Sequence, residues 1–129
     1  MATLRRVAML DLALTLPFAL PIVAERVVVL LQDVDQMLGL GTPFVRLDPM
    51  HLLFMNLMGV IAVVWNWARL RSHSTELATM DVPARCVVAG LIVFYVAVMR
   101  VTPVLLLFAA TEIGGAVIQS RALRGSRGR

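Results

Sequence analysis

The chain has 129 residues, 60% of them apolar and 16% charged, with a mean hydropathy of +0.86. Soluble domains run near half apolar and about a quarter charged, so a water-soluble globule is a poor fit: a core of this size could not hide so many Val, Leu, Ile and Met side chains. The net charge of +4 rests on twelve Arg and no Lys, placed at segment ends and in the tail, a pattern of membrane topology and not of nucleic-acid binding.

Crossing a bilayer takes about 17–25 mostly apolar residues. Four stretches meet that length: Val7–Ala24, Met50–Ala68, Ala84–Met99 and Pro103–Ser120. The expected fold is therefore all-α, an integral membrane four-helix bundle in a single domain over residues 1–120. The basic segment 121–129 reads as a disordered cytoplasmic tail.

The first stretch follows Arg5-Arg6 and carries Asp11, Pro17 and Pro21. Two prolines within a helix predict a kink. A basic pair before an apolar run also resembles a signal peptide, with Ile22-Val23-Ala24 as the cleavage site. Asp11 and the prolines argue against it, and the segment is read as a retained helix. Next, Val27, Leu30, Leu31, Val34, Met37 and Leu38 recur at helical spacing. Arg26, Gln32, Asp33, Asp35 and Gln36 fall mostly elsewhere on the wheel. Arg26–Leu38 is thus an amphipathic helix between helices one and two, lying on the extracytoplasmic surface. Gly39, Gly41 and Pro43 end it.

Asp48-Pro49, Asp81-Val82-Pro83 and Thr102-Pro103 each place a capping side chain before a proline, and mark the starts of helices two, three and four. Arg5, Arg6, Arg69, Arg71, Arg85, Arg121, Arg124, Arg127 and Arg129 then share one side, against Arg26, Arg46 and Arg100 on the other. Nine against three puts both termini in the cytoplasm of a bacterial inner membrane.

Charged side chains inside such helices are costly and mark the places to look for function. Glu112 lies nine residues from Pro103 and from Arg121, about 13 Å from either end and near the midplane. Asn56 and Thr15 reach comparable depth, and Gln119 follows Glu112 on the same face. Thr15, Asn56, Glu112 and Gln119 are the candidate ligand or proton site. With no Arg expected at its depth, the Glu112 carboxyl is expected to be neutral. Asp11 and Arg69 form an expected structural ion pair near the cytoplasmic side. Glu25 forms another with Arg100 or Arg46. Trp65-Asn66-Trp67 reads as an interfacial anchor, and Gly114-Gly115 as a point of close helix approach. Cys86 is the only cysteine, which leaves no internal disulfide, and it reads as a packed thiol. His51 and His73 fall on opposite sides and form no metal pair. No cofactor or metal is expected, and no reaction motif is visible, so an enzyme is the weakest reading.

The run Pro49-Met50-His51-Leu52-Leu53-Phe54-Met55-Asn56-Leu57-Met58-Gly59, continuing to Trp65 and Arg69, resembles small bacterial four-helix proteins of the DoxX-like kind. So does the last helix, with Pro103, Glu112 and Gln119. The likeness covers Met50–Gln119. It implies a four-helix membrane bundle and, by association with some members, membrane complexes of respiratory or redox character. Two functions stay open. One is an accessory protein or subunit acting through helix packing, with a membrane-protein partner or a second copy of itself. The other is a binding or transport bundle for a small lipophilic molecule or a proton, centred on Glu112. The lipid bilayer is the common partner, and nucleic acid is not.

Overall fold

The computed structural model describes residues 2–44, 46–72 and 74–127. His73 and Arg129, both named above, lie outside them. The described chain is 86% helix and has no strands. Its elements are α1 (Ala2–Thr15), a 3-10 turn (Leu16–Ala19), α2 (Pro21–Met37), α3 (Pro49–Ser72), α4 (Thr75–Ala97), a second 3-10 turn (Pro103–Leu105) and α5 (Leu106–Arg127).

The first expected helix is broken, not kinked. Pro17 has no N–H to continue the ladder, so α1 tightens into a 3-10 turn. Leu20 is then extended, at φ −107° and ψ 117°, as a residue before proline prefers. Pro21 opens α2, and the axis turns by 103°. The amphipathic helix accordingly starts at Pro21, five residues before the expected Arg26. Its sides also differ from the wheel: Leu30 is exposed, whereas Asp35, grouped with the polar face, is buried at 1% exposure. Gly39 and Gly41 follow with φ of 65° and 61°, the left-handed region that glycine enters freely.

Asp48 does cap α3, accepting a hydrogen bond from the His51 N–H at 2.9 Å. Thr102 likewise accepts from Val104 N–H at 3.2 Å. The third expected start does not hold. Ser74 caps α4, accepting from Glu76 and Leu77 N–H at 3.1 and 3.4 Å, and Pro83 lies inside the helix. Asp81 is thereby free of any capping duty. The basic segment expected to be disordered is helical as far as Arg127.

α1 lies against α3 and α5, and α4 pairs with α5. Three helices are long and apolar enough to cross a membrane, and a fourth crossing results if the bent pair counts as one. The packing is inverted relative to a soluble protein. Among the described residues the buried apolar side chains are six Ala and two Val, while large ones such as Ile22 (77%) and Met37 (86%) face outward. Small residues let helices approach closely where the surroundings are as apolar as the core. The structure is thus compatible with a multi-pass membrane protein. Cys86, expected to be packed, is exposed on α4.

α3 approaches the first 3-10 turn closely at Gly59. A Cβ there would stand 2.4 Å from the backbone of Phe18 and of Ala19, which no side-chain rotation relieves. Gly59→Ala is expected to cost about 1–3 kcal/mol by overpacking. Reversible unfolding in mixed micelles measures it, and wild-type stability in that variant would show that the 3-10 turn yields freely.

Candidate functional site

Five ionisable side chains from four helices converge between α1, α3, α4 and α5. Asp81 and Arg85 stand four apart on α4, hence on one face, and the Arg85 Nε–H donates to Asp81 Oδ2 at 2.8 Å. Arg85 Nη1 donates to Glu112 Oε2 on α5 at 3.0 Å, and Nη2 donates to Asp11 Oδ2 on α1. One guanidinium therefore serves three carboxylates. Arg69 on α3 completes the ring. Its Nη1 donates to Asp11 Oδ2 and to Asn66 Oδ1, both at 2.9 Å, and its Nη2 lies 3.1 Å from Asp81 Oδ2. Trp65 Nε1–H donates to Asp81 Oδ1 at 2.7 Å. The Arg85 side chain is 6% exposed, Arg69 4%, Asp81 7% and Asp11 16%; Glu112 is the most open, at 29%.

Gly115 makes room for this arrangement. A Cβ at that position would sit 2.4 Å from Arg85 Nη1. The close approach expected at Gly114-Gly115 is thus made at Gly115, by a guanidinium. A Cβ on Gly114 would meet nothing within 4 Å.

The expected site residues do not all line one cavity. Thr15 and Glu112 line the same cavity. Thr15 donates to the Asp11 carbonyl at 2.8 Å and accepts from Asn66 Nδ2 at 3.4 Å. Asn56 is elsewhere: its Nδ2 donates to the Phe18 carbonyl at 2.9 Å, an acceptor in the turn where the helical ladder breaks. Gln119 is fully buried, neither of its amide atoms has a hydrogen-bond partner, and it lines neither inner cavity. Asp11 and Arg69 are paired, within the larger cluster. Glu25, Arg100 and Arg46 are exposed and form no such pair among the described residues. The expectation that Glu112 has no cation at its depth is corrected by Arg85. The sequence groups that arginine with those of the cytoplasmic side, because Pro83 reads as a helix start. The spacing Asp81-x-x-x-Arg85 was the available signal. Trp65, read as an anchor, points its indole N–H into the cluster; Trp67 is the exposed one.

Two cavities meet at Glu112. One of about 250 Å³, beside the ion cluster, is lined by Asp11, Thr15, Trp65, Arg69, Arg85 and Glu112, among others. An apolar chamber of about 590 Å³ is lined by side chains such as Val28, Leu31, Met55, Ile92 and Leu105, and again by Glu112. Phe18, Val88 and Phe108 line both. The Phe18 and Phe108 rings meet edge to face at 6.4 Å and stand between the two spaces. On the far side of Arg69 a third cavity, of about 290 Å³, is bounded by Arg5, Leu70 and Ser74. The chamber's other end is walled by Thr42, Pro43, Phe44 and Leu47. Buried Asp35 holds that loop, accepting from Thr42 N–H at 3.0 Å and from the Thr102 hydroxyl.

No protein-family model, curated protein or solved structure matches the chain.

Removing one partner of a buried ionic network strands the others, at about 3–5 kcal/mol. Arg85→Met leaves three carboxyls to one guanidinium and is expected to lose that much. Adding Glu112→Gln should restore part of it. Double-mutant cycles on unfolding in mixed micelles measure the coupling, and strict additivity would mean that Arg85 and Glu112 do not interact.

Proposed function

We propose that this protein is a membrane-embedded binding or transport bundle for a small lipophilic molecule, whose polar end is met by Glu112. The observation that carries the reading is that Glu112 lines both the charged cavity and the apolar chamber. A chamber walled by apolar side chains with a few convergent polar groups at one end is the usual form of a small-molecule site.

The natural setting for this reading is a bacterial inner membrane with both termini in the cytoplasm. With Arg69 and Arg85 both inside the bundle, seven Arg of the sequence (9 − 2) remain for the end shared by the N-terminus, the α3–α4 connection and the C-terminal segment, against Arg26, Arg46 and Arg100. That imbalance supports the orientation.

A second reading is an accessory subunit of DoxX-like type. It is favoured by the open face at Gly114, flanked by exposed Ile113, Val117 and Ile118, where a partner helix has access to the backbone.

Native mass spectrometry of the protein released from gentle detergent is expected to show a small lipophilic adduct. Ile92→Trp, which fills the chamber without touching the ion cluster, should lose it. A wild-type protein without adduct that instead co-purifies with a stoichiometric membrane protein would favour the subunit reading. Reporter fusions at both termini are expected to read cytoplasmic, and a periplasmic signal from either would refute the orientation.

A further inference from the structure

The ion cluster is not balanced. Asp11, Asp81 and Glu112 carry −3 when ionised and Arg69 and Arg85 carry +2, a sum of −1. Among the described residues no other basic side chain lines either inner cavity; Arg5 is exposed and borders only the cavity beyond Arg69. Asp11 is bonded by both guanidiniums and Asp81 by both guanidiniums and the Trp65 indole. Glu112 has one donor, Arg85, and that bond uses Oε2 alone. The excess negative charge therefore lies closest to the apolar chamber.

A single positive charge restores the balance, and in an apolar medium an uncompensated charge is costly. The immediate surroundings also suit a cation. Phe18 and Phe108 line both spaces and Trp65 lines the charged one, and aromatic faces attract cations, most strongly where water is excluded. A proton would balance the charge as well, but it has no use for aromatic rings or for a chamber of about 590 Å³. Resting on the binding reading above, we propose that the ligand class is a lipophilic monocation. Its charged head lies between Glu112 and the Phe18, Trp65 and Phe108 rings, and its apolar body fills the chamber toward Ile92 and Leu105.

The test uses the full chain in nanodiscs with Trp67→Phe, so that Trp65 is the only indole of the chain. Three amphiphiles with one decyl tail and different heads are titrated: decyltrimethylammonium, decanol and decanesulfonate. Empty nanodiscs give the background of partition into lipid. Trp65 emission is expected to saturate with the ammonium at about tenfold lower concentration than with decanol, and to show no saturable response to the sulfonate. Glu112→Gln should remove the preference for the ammonium while keeping the decanol response. Glu112→Asp, which keeps the charge, should retain the preference and decides the matter should the Gln variant not fold. Equal response to ammonium and decanol in the parent protein, or a preference untouched in a folded Gln variant, would overturn the cation inference and leave the binding reading standing. No saturable response to any of the three would remove both.

Discussion

Arg85 is the interaction on which the rest of the structure depends. Its guanidinium donates to carboxylates on α1, α4 and α5, and Arg69 extends the same ring to α3. These charges sit among largely apolar helices, with the Arg69, Arg85 and Asp81 side chains at most 7% exposed. Arginine suits this role because its planar fork offers five donors in fixed directions. The cost of removing charge from water is offset only when nearly every donor and acceptor is matched, so the cluster tolerates few relative positions of the four helices. It acts as a register device in a bundle whose apolar contacts are weakly directional.

That role also explains why the interior stays partly open. Among the described residues six of the eight buried apolar side chains are Ala, too small to fill the space between helices that the ion cluster holds apart. α3 and α4 are not a closely packed pair, and Trp65 and Arg69 reach across to Asp81 in place of direct backbone approach. Where a guanidinium has to fit, glycine makes the space, as at Gly115. Cavities beside the cluster follow from this spacing, and α2 and its loop line the other end of the apolar chamber.

α2 reaches that position because of the break between Pro17 and Pro21. A continuous helix would have carried the chain away from the bundle; the 103° turn lays α2 across its end. Two polar side chains make the break tolerable. Asn56 donates to the Phe18 carbonyl in the turn, and Asp35 ties the following loop to Thr102 before α5. Asn56, a candidate site residue from the sequence, is bonded to backbone, and Asp35 to a neighbouring segment.

Apolar length and composition were enough, by themselves, to reveal an all-helical chain with three or four helices able to cross a membrane. Local chemistry located the caps at Asp48 and Thr102. Such properties depend on solvent transfer and on neighbouring backbone, which are written along the chain. Sequence also singled out Glu112 as costly to bury, and Asp11 and Arg69 as side chains in need of partners. Which groups actually meet was decided by tertiary structure. Pro83 looked like a helix start and lies inside α4, because Ser74 caps the helix earlier and moves Arg85 from a loop into the interior. The two prolines of the first stretch looked like a kink and proved to be a break, because the packing of Gly59 on Phe18 and Ala19 and the amide of Asn56 support an interrupted backbone there. Depth along a helix can be counted from sequence, but the direction a side chain faces depends on how neighbouring helices rotate and approach. That is why Arg85 and Glu112, 27 residues apart, became partners only in the fold.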